Sequence, residues 1–247
     1  MKMAAAGNRR CGETFTHQQE RGVFMEEVLT WLKDNALWFL LAAGTVFTYV
    51  TLLKNKDALR INSIGAAAAA ILHTVIGLLC VKFFAFLEGT SGGMSIYGGI
   101  LFMPVFYYLT AKLSKRGMAD VFDCMTVCIV FVFMCARVNC LISGCCLGKL
   151  IPGTQLRWPT RLLEIILYLG LLFVFAEKDS KKQFGGRFYP LFLMSYGVFR
   201  FIIEWFRESS HTFGVIHISH IWSVVAIAIG AIWFFSFSKK KTRKRKT

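Results

Sequence analysis

Tyr196, Arg200 and Glu204 stand four residues apart in Tyr196-Gly-Val-Phe-Arg200-Phe-Ile-Ile-Glu204-Trp-Phe-Arg207-Glu208. That spacing puts the three on one stripe of an α-helix, with Arg207 close to the same stripe. The residues between them are Phe, Val, Ile and Trp, which suit lipid or packed helices. An arginine inside an apolar span costs several kcal/mol unless it is paired or faces a wet cavity. Two chemistries fit. Arg200 and Glu204 neutralise each other as a structural ion pair, or Arg200 aims its planar fork at a phosphate in an internal cavity.

A second group is Arg137-Val-Asn139-Cys140-Leu-Ile-Ser143-Gly144-Cys145-Cys146-Leu-Gly148-Lys149. Gly144 and Gly148 permit a sharp turn or a close approach of backbone to a ligand, and Arg137 and Lys149 supply positive charge. The plainer reading is a loop with snorkelling basic residues. A third group, Gly92-Gly93-Met94-Ser95-Ile96-Tyr97-Gly98-Gly99, fits a bend against a lipid headgroup or a flexible turn. His73, within an apolar run, reads as hydrogen-bonded to a neighbouring helix. Cys124, Cys128 and Cys135 share one helix face and read as packing before metal binding. His217 and His220 read as interfacial.

These residues are positioned by apolar runs. The 247 residues are 55% hydrophobic and 17% charged, with a mean hydropathy of +0.54. The charges fall in short gaps between seven runs: Ala36–Leu53, Ile64–Phe86, Ile96–Ala111, Ala119–Ala136, Leu162–Ala176, Phe188–Phe206 and Ile218–Phe237. Runs of this length predict an all-α polytopic membrane protein of about seven transmembrane helices. A polar, amphipathic arm precedes them (1–35), a membrane domain spans 36–237, and a basic tail follows (238–247). Phe24–Trp38 reads either as an interfacial helix or as a polar start to the first span. The net charge of +15 is concentrated in that tail and in alternate gaps. This placement points to anionic headgroups and excludes nucleic acid as the partner. Gaps one, three and five hold Lys54, Lys56 and Arg60, then Lys112, Lys115 and Arg116, then Lys178, Lys181, Lys182 and Arg187. By the positive-inside rule these gaps and the C-terminus are cytoplasmic, and the N-terminus is outside. In gap six, Arg207 balances Glu208. Gap four breaks the pattern with Arg137, Lys149, Arg157 and Arg161, and binding of an anionic ligand would account for it. The eight cysteines have no zinc-finger spacing, so no metal and no cofactor are expected. Ala66–Ala70, with Gly65 and Gly77, suits close helix packing. The three polar groups all open to the outer face, which describes a site for an anionic lipid entering from the outer leaflet.

Over roughly residues 60–237 and in matching order, the sequence resembles the prolipoprotein diacylglyceryl transferase family. Residues 92–99 look like its entrance motif, and Arg137–Lys149 resembles its signature segment. Trp158-Pro-Thr-Arg-Leu-Leu-Glu164 is similar to its His-Pro-Ser-Gln-Leu-Tyr-Glu segment, and Tyr196–Glu208 matches most specifically. The resemblance implies transfer of a diacylglyceryl group from phosphatidylglycerol to the lipobox cysteine thiol of a preprolipoprotein, at the outer face of the cell membrane, with glycerol phosphate leaving. It implies that Arg137 and Arg200 hold the phosphate and that Tyr196 and Glu204 orient Arg200 and the lipid glycerol. Gly98, Gly99, Gly144, Cys140 and Cys145 fall in the binding segments, and Gly148 gives room at the headgroup. Tyr97 takes the position of the family's proposed base, a histidine. Cys140 stands where the family has Asn, Cys145 where it has Glu, and Trp158 where it has His. Two other readings fit these departures. One is a paralogous membrane enzyme using its own outer-face cysteines for acyl transfer or thiol redox chemistry, with Cys140, Cys145 and Cys146 as nucleophiles, a redox pair or metal ligands. The other is a non-enzymatic protein that binds anionic lipid.

Overall fold

The protein is described by a computed structural model. It places the backbone of residues 7–89, 94–115, 117–180, 185–208, 212–213 and 216–244, and side chains from residue 26 through 236 within that set except at 179–180, 212–213 and 216. Gly92 and Gly93 of the glycine-rich entrance lie outside the described residues. The helices are α1 (Gly7–Lys54), α2 (Lys56–Leu59), α3 (Ser63–Leu87), α4 (Ile96–Leu113), α5 (Met118–Ile142), α6 (Thr160–Ser180), α7 (Phe188–Ile203) and α8 (Ile218–Lys244). A 3-10 turn, Glu204–Phe206, extends α7. Two two-residue strands, β1 (Thr212–Phe213) and β2 (Ile216–His217), pair antiparallel.

The chain divides into two units, residues 1–39 and 40–247. Helix α1 runs without a break through the amphipathic stretch at Phe24. Its Trp31 and Phe39 rings meet edge to face at 5.8 Å.

The second unit holds the rest of the helices. Among the described residues, five helices are long and apolar enough to cross a membrane, by length and composition: Glu26–Lys54, Ser63–Leu87, Ile96–Leu113, Met118–Ile142 and Ile218–Ser236. Their outer faces carry bare hydrocarbon: Ile64 is 79% exposed and Phe86 76% exposed. Such a surface is stable against lipid and not against water. The protein is therefore an all-α polytopic membrane protein. The other two runs form α6, which carries charged residues at both ends, and α7, which has 16 residues before its 3-10 turn.

Neighbouring helices run antiparallel and pack through small residues. Ala66 and Ala70 of α3 are buried, as the small-residue face predicts. A Cβ on Gly98 would fall well inside van der Waals contact with the Cys80 carbonyl of α3, and one on Gly99 would meet the Phe133 ring of α5 at 2.8 Å. These two glycines therefore set the approach of α4 to α3 and α5. A Gly98→Ala change should cost about 1–3 kcal/mol by overpacking and lower the thermal midpoint in detergent. Gly170→Ala, where a Cβ meets nothing within 4 Å, should leave the midpoint unchanged. Asp123, near the start of α5, accepts from the backbone N–H of Gly186 (2.6 Å) and Phe188 (3.1 Å). It thereby caps the orphan donors at the start of α7. This contact makes α5 and α7 parallel and places Arg137 ~21 Å along the helix from that cap.

The same pairing fixes which loops share an end. The end of α3, the start of α4, the end of α5, the start of α6, the end of α7 and the start of α8 come together, as the Tyr97–Ser219, Arg137–Glu164 and Arg200–Glu164 contacts require. The described residues 88–89, 94–95, 143–159, 207–208, 212–213 and 216–217 lie at this end. His73 behaves as expected of a helix-bridging histidine: its Nε2 lies 3.0 Å from the Tyr107 hydroxyl of α4.

Candidate active site

At the shared end of the helices, one carboxylate gathers the charged residues. Glu164, on the first turns of α6, is 2% exposed. The Nε of Arg137 on α5 pairs with its Oε2, and Nη1 of Arg200 on α7 donates to its Oε1 at 2.7 Å. Nη1 of Arg207 lies 3.9 Å from the same Oε1. Arg200 Nη2 also meets Glu204 Oε2 at 2.8 Å, one helical turn on. Arg137 and Arg200 are each only 5% exposed, and Glu204 1%. Charges at such depth persist only when paired. Three guanidiniums thus face two carboxylates, one more cation than carboxylate.

The tyrosines wall this cluster. Tyr196 is buried and stacks on Tyr168 at 6.3 Å, with Tyr97 edge-on at 6.0 Å. The hydroxyls of Tyr196 and Tyr168 are buried without a hydrogen-bond partner, as is Nε of Arg200. Orphaned donors of this kind beside a surplus cation are the polar lining that an anionic ligand would satisfy. Tyr97 donates its hydroxyl to the Ser219 carbonyl at 2.9 Å and lies 2.8 Å from Ser223 Oγ, both on α8.

The loop after α5 is held by its own pairings. Gly148 and Arg207 form an isolated antiparallel bridge, reinforced by Lys149 N–H to Phe206 O (2.8 Å) and Glu208 N–H to Leu147 O (3.1 Å). Arg157 donates to the Gly148 carbonyl at 3.1 Å and pairs with Glu208 at 2.5 Å. Arg161 donates to the Cys140 carbonyl at 3.0 Å.

Several expectations change on this geometry. Three of the four basic residues of gap four have internal partners: Arg137 on Glu164, Arg157 on Glu208, Arg161 on a carbonyl. Arg207 and Glu208 do not balance each other; they reach Glu164 and Arg157 respectively. A Cβ on Gly148 would overlap the Trp158 carbonyl, so backbone packing, and not a headgroup, fills the space beside it. Gly144 sits at φ +72° with open space around it and turns the chain at the end of α5.

Cys140, Cys145 and Cys146 converge, with all three sulfurs within 4.8 Å of one another. Cys146 lies in the loop, where the Cys140 thiol donating to its sulfur, with Arg207 and Arg137 adding positive charge, pulls its pKa down to about 5. Burial pushes the Cys145 thiol up. Burial, together with the neighbouring Arg200 and Arg137 charges, lowers the pKa of Arg207. The Arg207 charge is thus held against repulsion that a bound anion would relieve.

Arg137, Tyr196, Arg200 and Glu204 are brought together with Tyr97 at the cluster's wall. Sequence reasoning missed three participants. Glu164, a carboxylate inside an apolar run, is itself the signal of an intramembrane polar site. Arg207 lay close to the stripe without being placed in it. His220, read as interfacial, is instead 4% exposed. It packs edge-on to Phe201 (4.9 Å) and Trp205 (5.0 Å), and both its ring nitrogens are buried without a partner.

A buried Arg–Glu cluster at one end of a polytopic helical domain, walled by tyrosines, defines a membrane protein with a charged site inside its helical bundle. The family described as prolipoprotein diacylglyceryl transferase matches residues 38–236, and the chain belongs to it. A phosphatidylglycerol–prolipoprotein diacylglyceryl transferase of Polaromonas naphthalenivorans is 30% identical over 175 residues, covering 63% of this chain and 64% of that protein. One of Pasteurella multocida is 32% identical over 171 residues, covering 63% of each. One of Clostridium tetani is 25% identical over 174 residues, covering 64% of this chain and 69% of that protein. The chain thus spans just under two thirds of the length of the first two relatives.

Proposed function

We propose that the protein transfers a diacylglyceryl group from phosphatidylglycerol to the lipobox cysteine of a preprolipoprotein, at the outer face of a cell membrane that it crosses seven times. The observation that carries this reading is the convergence of Arg137, Arg200 and Arg207 on Glu164, with one positive charge in surplus. Family membership supplies the substrates. The outer-face orientation is our reading of charge: Lys112, Lys115, Lys178 and Arg187 stand at helix ends opposite the cluster, which supports a cytoplasmic position for that end by the positive-inside rule.

In the reaction the thiol sulfur attacks the lipid's glycerol carbon. The S–C bond forms, the C–O bond to phosphate breaks, and the thiol proton passes to an acceptor as glycerol phosphate leaves. The leaving phosphate gains negative charge, so cations fixed beforehand stabilise the transition state more than the ground state. Arg207 and the two buried arginines serve that role, Glu164 and Glu204 hold the guanidiniums in place, and Tyr196 offers its unpartnered hydroxyl. Tyr97 has its hydroxyl committed to α8 and acts by positioning. His220, whose ring meets that of Trp205, the residue after Glu204, at 5.0 Å and whose ring nitrogens are buried without a partner, is the proton acceptor. His220→Gln should cut the transfer rate at least ~100-fold while the thermal midpoint holds, and Tyr97→Phe should keep most of the rate. The reverse ranking would remove His220 from the role.

The test of the function is direct. Purified protein in phosphatidylglycerol nanodiscs is mixed with a lipobox peptide, and the peptide is followed by mass spectrometry. The expected product carries one diacylglyceryl thioether, with glycerol phosphate released in equal amount. Bound phosphatidylglycerol that never turns over, where a standard relative does turn over, would favour a lipid-binding protein.

A further inference from the structure

The last turn of α5 and the loop after it bring three thiols to one point. Cys140 stands in that turn, Ser143 caps the helix, and two left-handed residues, Gly144 (φ +72°) and Cys146 (φ +58°), reverse the chain on either side of Cys145. Only glycine adopts this conformation freely, so Cys146 is held there at a cost of order 1 kcal/mol. The result of the reversal is a set of three sulfurs mutually within 4.8 Å. Among the described residues no other group of three or more His, Cys, Asp or Glu side chains converges in this way. Cys124, Cys128 and Cys135 form no such group along α5.

We propose that Cys140, Cys145 and Cys146 form a trithiolate site for one soft, thiophilic cation of the Zn²⁺ or Cu⁺ class. Metal–sulfur bonds of about 2.3 Å in a tetrahedron place their sulfurs about 3.8 Å apart, so the three converge by no more than about 1 Å. The donor set is all thiolate, which selects soft ions over Mg²⁺ or Ca²⁺. Cys145 is exposed, which gives an entry path and leaves the fourth position open to water. Three thiolates around such an ion carry net negative charge, and Arg137 and Arg207 stand close enough to act on Cys146 electrostatically. The backbone is braced at both ends, by Arg161 on the Cys140 carbonyl (3.0 Å) and by the Gly148–Arg207 bridge. The site goes beyond the proposed transfer, and its test needs no lipid substrate.

The experiment uses the full chain in detergent, fully reduced and freed of reductant, titrated with Co²⁺ as a spectroscopic probe. One Co²⁺ per chain should bind, with sulfur-to-cobalt charge-transfer absorption and tetrahedral visible bands, and Zn²⁺ should displace it. Cys140→Ser, Cys145→Ser and Cys146→Ser should each weaken binding at least about ten-fold, while Cys80→Ser and Cys135→Ser should not. If Cys140→Ser misfolds, the exposed Cys145→Ser decides alone. Absence of the charge-transfer band, its survival in the triple variant, or a disulfide among the three in protein taken from the membrane without reductant would each overturn the proposal.

Discussion

Replacing Glu164 by Gln should destabilise the protein more than any other single change in the cluster. The carboxylate neutralises Arg137 and Arg200 together, in a place where Glu164 is 2% exposed. Without it, buried guanidiniums are left uncompensated, a loss on the order of 3–5 kcal/mol. Glu204 retains only its own pairing with Arg200, so Arg137 is the charge left most exposed to the penalty. The double variant Glu164→Gln/Arg137→Gln removes the cation that Glu164 alone paired, returns the cluster to its original excess of one cation, and should recover part of the lost thermal midpoint. Two independent losses would add. Recovery in the double variant therefore identifies an electrostatic role for Glu164, and simple addition would refute one.

Arg200→Ala should abolish transfer. Arg200 alone among the cluster's cations meets two carboxylates, Glu164 at 2.7 Å and Glu204 at 2.8 Å, which leaves its guanidinium fixed before any ligand arrives. Loss of one such preorganised donor at a developing anion costs roughly 100- to 1,000-fold in rate. Arg200→Lys should not restore it, because a single ammonium cannot bridge both carboxylates as the planar fork does. The measurement is the initial rate of peptide lipidation, with thermal midpoints as the control for folding. Full activity in Arg200→Ala would remove the phosphate-binding assignment.

Much of this arrangement was legible in the sequence, and what was not has identifiable causes. The i, i+4 spacing of Tyr196, Arg200 and Glu204 is a local property of one helix, so periodicity was enough to find the Arg200–Glu204 pair. The alternation of basic and neutral gaps placed the polar segments at one end. Glu164 was harder, because its meaning comes from Arg137 and Arg200 on two other helices, and only contacts far apart in the chain reveal it. The packing at Gly98 and Gly148 was not legible for a related reason: a missing Cβ reads the same whether a lipid or a neighbouring carbonyl fills the space. His220 sits at the start of an apolar run, where position alone suggests an interface. Burial by Phe201 and Trp205 comes from the turn of the chain after α7. The three thiols are brought together by left-handed backbone at Gly144 and Cys146, and at Cys146 the sequence gives no sign of it.

The central claim is that a lipid phosphate sits among Arg137, Arg200 and Arg207 beside Glu164. An experimental structure of the full chain with phosphatidylglycerol bound tests it most directly. The phosphate should lie within hydrogen-bond reach of Arg207 and at least one of the two buried arginines, on the face walled by Tyr196. A phosphate bound elsewhere, with the Glu164 cluster closed and without access to lipid, would contradict the account.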